Sequence, residues 1–262
     1  MVLLAPFRED NNLVAFDLFA LVLVGLAFAM GGLVKGLIGF GMPTVAIGVL
    51  TLFIDLKTAV ALFFIPAIIA NFLQAIDGKN FYVVFKRIKT YLLCSAIAVF
   101  LGVHLLATAD PYLVKAILAC LLIAYGVAGL KNITLTVQPK QEFWLTPVVA
   151  GLSGTLAGIT GSFAVPGIFY IKAFGLKRDD FIQATGIIFT CLAIVLTIAL
   201  IKTGLLSLEI TTLSFYAMLP TTVGMMIGRY IRQKSDAQKF DTIFYVMTIV
   251  LGILLWVQIF WG

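Results

Sequence analysis

Residues 31–43 read GGLVKGLIGFGMP. They lie inside an apolar run from Phe16 to Ile54, yet bring five glycines and Lys35 into it. Glycine inside a helix costs about 0.5–1 kcal/mol relative to alanine. A lysine at the centre of a bilayer costs at least about 2.5 kcal/mol. Either the segment is a poor membrane helix, or the chain is broken here for a purpose, and the fold turns on which.

The composition sets the background. Hydrophobic residues make up 62% of the 262 residues and charged ones 11%, and the mean hydropathy is +1.12. Soluble domains run near half apolar and a quarter charged. The repeated apolar runs approach 20 residues, the length of a membrane-crossing helix rather than a barrel strand. An all-α integral membrane protein is expected, with the lipid bilayer as its surroundings. The formal charge of +6 does not point to nucleic acid, because the basic residues cluster in short connectors as the positive-inside bias requires.

Several chemistries drop out. There is no Walker A loop, no HExxH, and one histidine, His104, so neither ATP hydrolysis nor a zinc centre is expected. No cofactor, metal ligand or catalytic residue is assigned, and the chain is not read as an enzyme. Cys94, Cys120 and Cys191 sit inside apolar runs with no CxxC pairing and read as packing residues.

Ten apolar segments are expected, at roughly 16–36, 41–54, 58–76, 90–107, 112–130, 143–159, 162–175, 181–201, 208–228 and 239–261. The longest polar connector, 131–142, lies at the middle of the chain and prompts a search for a repeat. Gly32, Gly36 and Gly39 align with Gly154, Gly158 and Gly161 at a constant offset. Farther on, Gly102, Asp110 and Gly126 align with Gly228, Asp236 and Gly252. The expected organisation is one membrane domain of two five-segment repeats, residues 1–131 and 132–262.

Connector charge gives their relative orientation. Connector 77–89 holds Lys79, Lys86, Arg87 and Lys89, whereas its counterpart 202–208 holds only Lys202. Connector 229–239 holds Arg229, Arg232, Lys234 and Lys239, whereas its counterpart 108–111 has no basic residue. The basic loop changes place between the halves, as it would in inverted repeats, a transporter pattern. With the basic loops cytoplasmic, both termini are expected outside.

Each half has its glycine-rich break in the matching place, KGLIGFGMP at 35–43 and AGITGSFAVP at 157–166. Broken or re-entrant backbone is tolerated in a bilayer only where protein or a wet cavity surrounds it. Short helices starting at the breaks would aim free N–H groups and positive dipole ends at a shared site. Such a site suits an anion. The candidate substrate-binding residues are Lys35, Gly36, Gly39, Gly41, Gly158, Thr160, Gly161 and Ser162. Asn71 and Gln183, polar within spans, complete the set. Lys35 has a second reading, as a positive-inside anchor at a cytoplasmic helix end. The matching break has Ala157 in its place.

The segments GGLVKGLIGFGMPTVAIGVL and GLSGTLAGITGSFAVPGIFY, with GLKRDDFIQATG following the second, resemble the paired motifs of the sulfite exporter (TauE/SafE) family. The resemblance runs over essentially the whole chain. It implies a permease of the cytoplasmic (inner) membrane that moves sulfur-containing anions such as sulfite or organosulfonates by alternating access. Ser162 and Phe163 stand where the family often has further glycine, a change that narrows the pocket or alters selectivity. A permease for a carboxylate or other oxyanion, and a non-transporting scaffold or assembly factor, are the competing readings. A coupling proton or cation and a homodimeric state are open.

Overall fold

A computed structural model describes residues 18–131, 137–163, 166–234 and 237–261, without the side chains of 139 and 237–241. The chain termini, the repeat boundary at 131/132 and Asp236 lie outside them. Eleven helices fill the described residues: α1 Leu18–Ile38, α2 Met42–Leu50, α3 Leu56–Leu62, α4 Phe64–Ile76, α5 Phe81–Thr108 and α6 Pro111–Leu130, then α7 Pro139–Thr160, α8 Gly167–Lys172, α9 Arg178–Lys202, α10 Leu208–Lys234 and α11 Ala237–Trp261. Seven are long and apolar enough to cross a membrane, and α3 and α4 are so only when taken together, as a pair bent by 43°. The protein is an all-α integral membrane protein.

Local chemistry sets the helix ends. Asp55 caps α3 by accepting from the Thr58 amide at 3.0 Å. Asp110 caps α6 by accepting from the Tyr112 and Leu113 amides at 2.8 and 3.2 Å, and Pro111 follows at the first helical position, where its missing N–H costs nothing. The two short helices are shorter than expected, nine and six residues rather than about 13. At about 14 and 9 Å they fall well below the thickness of a bilayer. In α2 the helix stops at Thr51, whose hydroxyl donates back to the Ile47 carbonyl at 2.7 Å.

The third expected segment is likewise two helices, parted at Phe63. Pro66 has no N–H and its ring crowds the Leu62 carbonyl, which frees that carbonyl inside the protein. Ser214 of α10 closes the gap: its hydroxyl donates to Leu62 O at 2.7 Å and accepts from the Ile65 amide at 3.2 Å. Replacing Ser214 with alanine leaves both groups buried and unpaired, and the cost is about 1–3 kcal/mol. Thermal unfolding of Ser214→Ala in detergent should show that loss, while Thr212→Ala, whose exposed hydroxyl only bonds back within its own helix, should not.

Glycines decide which helices meet. Gly32 and Gly36 of α1 face the α10 backbone at Thr221 and Met225–Arg229, and Gly224 and Gly228 face back at Ala29 and Leu33. In the other half, Gly154 and Gly158 of α7 face the α5 backbone at Ser95 and Val99, and Gly102 faces back at Thr155. A methyl group at Gly32, Gly154 or Gly224 would lie inside a carbonyl oxygen of the partner helix. These are small-residue contacts that let backbones approach, as in GxxxG pairs. Their arrangement is reciprocal: α1 lies on α10 as α7 lies on α5, while α6 pairs with α11 and α4 with α9. Gly126 and Gly252 serve the α6–α11 pair in the same way.

The outer surface is apolar, with exposed side chains such as Leu26, Ile97, Leu219 and Met226. Cys120 is exposed on α6, which corrects its reading as a packing residue, whereas Cys94 and Cys191 are half-buried. Exposed Trp144 and Trp261 lie near the ends of α7 and α11, where an aromatic belt would place them.

Candidate anion site

Both breaks end a long helix in the same way. The Gly39 amide donates to Lys35 O at 2.8 Å, and the Gly161 amide donates to Ala157 O at 2.8 Å. Gly39, Gly41 and Gly161 hold φ of 90°, 86° and 67°, left-handed values that a side chain would resist. Lys35 and Ala157 therefore occupy equivalent places one turn before each break, and only one of them is charged.

Lys35 is 4% exposed, which is not how an interfacial anchor sits. Its ammonium donates to Asn71 Oδ1 at 2.6 Å and to Gln74 Oε1 at 2.8 Å. Neither amide can turn over without loss. Asn71 Nδ2 donates to Ala67 O at 2.8 Å, and Gln74 Nε2 donates to Ile182 O and to Thr185 Oγ1, each at 2.9 Å. Carbonyl partners on one side of each amide force its oxygen toward Lys35. Among the described residues, no carboxylate pairs with Lys35.

A cavity of about 450 Å³ lies against this group, lined by Lys35, Gly39, Gln74, Asp77, Arg229 and Arg232 among others. Its mouth lies between the ends of α4 and α10, where exposed Arg229 stands 3.9 Å from exposed Asp77. The volume is within the range of small-ligand sites. Three cations and one acid line it, so the cavity is positive overall, and its deepest charge is the one with neutral partners.

The breaks also meet, but elsewhere. Thr44 Oγ1, in the first turn of α2, lies 3.3 Å from Ser162 Oγ, and Gly161 packs on Ile47 and Val60. Thr160 Oγ1 donates to Leu156 O at 2.7 Å and accepts from the Ser162 amide at 3.2 Å. The gap beside Thr44 and Ser162 is about 10 Å³, about one water's worth. Behind it, Phe28, Phe63, Phe163 and Phe189 run ring to ring with centroids 5.6–6.5 Å apart. This gap and the Lys35 cavity share no lining residue.

The candidate residues thus divide. Lys35, Gly36 and Gly39 line the cavity, and Asn71 holds the Lys35 ammonium without lining it. Thr160, Gly161 and Ser162 lie at the closed contact between the breaks, and Gly41 packs on Phe244. Gly158 faces α5, as Gly36 also faces α10, so both serve helix packing. Gln183 staples a loop: its Nε2 donates to Ala75 O at 3.0 Å and its Oε1 accepts from the Asn80 amide at 3.2 Å. Gln74, Arg229, Arg232 and Thr44 were not among the candidates. Gln74 could have been found from its three-residue spacing to Asn71, which puts both on one helix face. The two arginines looked like ordinary positive-inside charge.

The fold is that of a polytopic membrane protein with two broken helices and a cation-lined cavity. Residues 23–255 match the sulfite exporter TauE/SafE family, and the chain belongs to that family of membrane transporters. No curated protein and no solved structure matches it.

Proposed function

We propose that this protein is a permease of the cytoplasmic membrane for small sulfur-containing anions, sulfite or organosulfonates, and that the anion binds at Lys35. One observation carries the reading: a buried ammonium at the head of a positive cavity, held by two neutral oxygens with a third N–H left over. A buried charge without a counter-charge is costly, and an anion supplies the missing partner. Arg229 and Arg232 at the mouth raise the local anion concentration. The amides of Asn71 and Gln74 fix the direction of the ammonium without cancelling its charge.

The reciprocal packing of α1 on α10 and α7 on α5 supports two inverted repeats, 1–131 and 132–262. In this reading the contact of Thr44 with Ser162 is the closed gate, and the cavity faces the cytoplasm, where the basic connectors lie. Alternating access then requires the breaks to part and the Lys35 cavity to close.

The test is uptake by proteoliposomes of sulfite, ethanesulfonate and acetate in competition. Saturable flux in which the sulfur anions displace acetate is expected. Preference for acetate would assign the carboxylate reading, and absence of all flux would leave the scaffold reading. A charge change at the supporting amide gives a second check. Gln74→Glu puts a carboxylate on Lys35, so an internal ion pair replaces the substrate. Its sulfonate affinity should fall roughly ten- to a hundredfold, the worth of a charge-assisted hydrogen bond of about 1.5–3 kcal/mol, with the folded yield unchanged.

A further inference from the structure

We infer that the cavity selects sulfonates bearing an apolar carbon chain, over sulfite and over sulfonates with a second acidic group. The inference rests on the reading of Lys35 as the anion site and narrows the substrate class of that site. The cavity measures about 450 Å³, and a headgroup of one sulfur and three oxygens occupies a small part of it. The lining decides what suits the rest. Besides its charged and amide groups that lining is apolar: Ala70, Leu73 and Ile76 of α4, Ile182 of α9 and Met225 of α10. Pockets that take organic ligands have this make-up, an apolar wall with a few polar groups that fix the head.

Helical spacing builds the wall. Ala70, Leu73, Gln74 and Asp77 fall at i, i+3, i+4 and i+7 and share one face of α4. The polar members of that face are engaged within the protein. Gln74 bonds to Lys35, to Ile182 O and to Thr185, and Asp77 stands 3.9 Å from Arg229. Leu73 and Ile76, by contrast, are about half exposed. Helix α1 leaves room opposite the wall. Gly39, one turn beyond Lys35, also lines the cavity, and a Cβ there would meet nothing within 4 Å. Beside the ammonium there is thus open space bounded by bare backbone and hydrocarbon.

A bare oxyanion at Lys35 leaves that wall to water, whereas a carbon chain on the same headgroup displaces the water, which is favourable. Full burial of one methylene is worth about fourfold in affinity. With Leu73 and Ile76 half exposed, about two- to fourfold per methylene is expected. The row from Ala70 to Ile76 runs about 9 Å along the helix, so short chains do not outrun it. A second acidic group gains less. It must lie along hydrocarbon, where a charge is costly, or displace Asp77 from Arg229 at the exposed mouth.

Competition against ethanesulfonate uptake in proteoliposomes tests the inference, with methane-, propane- and butanesulfonate, sulfite and 3-sulfopropanoate as competitors. Inhibition should strengthen about two- to fourfold with each methylene, sulfite should trail methanesulfonate, and 3-sulfopropanoate should trail propanesulfonate. The double variant Leu73→Ala/Met225→Ala removes part of the wall and should flatten the dependence on chain length. A slope unchanged in that variant would mean that the chain meets lipid and not the cavity, and would overturn the inference. The wild-type series stands as a test even where the double variant folds poorly. Equal inhibition at every chain length, or tighter binding of sulfite or 3-sulfopropanoate, would overturn the inference while leaving the permease reading intact. Wild-type protein that takes up no ethanesulfonate would overturn the site reading beneath it.

Discussion

Lys35→Met abolishes saturable sulfonate transport while the protein still reaches the membrane and purifies as a folded species. Methionine keeps most of the length and apolar bulk of the lysine and removes its charge. The amide oxygens of Asn71 and Gln74 lose their donor, which costs stability of about 1–3 kcal/mol, small against the packing of so many helices. The anion loses its one fully buried partner. A charge-assisted contact alone accounts for about 1.5–3 kcal/mol, or roughly ten- to a hundredfold in affinity. The measurements are proteoliposome flux and detergent-phase binding of ethanesulfonate, with monodispersity as the control for folding. An interfacial anchor would give a different result, since its loss alters orientation or yield and not affinity.

Gly32→Val and Gly154→Val eliminate folded protein, and they do so to the same extent. Each adds a branched side chain where the partner backbone already stands, Thr221 of α10 in one case and Ser95 of α5 in the other. Flexible side chains could give way, but a helix backbone cannot, so the pair must separate along its length. Even the alanine variants exceed ordinary packing tolerance, with an expected cost of about 1–3 kcal/mol. Gly151, three residues before Gly154 on the same helix, has nothing within 4 Å of an added methyl group. Gly151→Ala should be neutral or gain up to about 1 kcal/mol from helix propensity. Folded yield and unfolding temperature across the three sites report the reciprocal packing directly. A severe Gly154→Val beside a mild Gly32→Val would argue against two equivalent crossings.

Much of this architecture is legible in the sequence because membrane helices announce themselves by length and apolarity. Nine of the ten expected segments coincide with single helices, and both breaks lie at the expected glycines, Gly39 and Gly161. The bend at Phe63 was not legible. Pro66 hints at it, but the bend is sustained by Ser214, which is 149 residues beyond Ile65 and arrives only through tertiary packing. The glycines were harder to interpret than to find. A glycine permits close approach, but the sequence does not say whether a ligand or a helix approaches, and at Gly36 and Gly158 it is a helix.

Lys35 shows the same limit for charge. From the sequence it fits a loop-end anchor as well as a ligand site, because both readings need a cation near the end of a membrane helix. Burial and the identity of its partners separate them, and those partners lie 36 and 39 residues away on α4. Gln183 illustrates the reverse error. A buried glutamine within a span attracts a functional reading, yet both ends of its amide are engaged by the backbone around the α4 terminus.

The central claim is that the anion's own charge is met by Lys35. A structure of the protein with 2-bromoethanesulfonate, whose bromine is located by anomalous scattering, tests it most directly. The account predicts a sulfonate oxygen at charge-assisted hydrogen-bond distance, about 2.7–2.9 Å, from Lys35 Nζ, with Asn71 and Gln74 still in place. A sulfonate held between Thr44 and Ser162, or at the arginines of the mouth with Lys35 untouched, would contradict it.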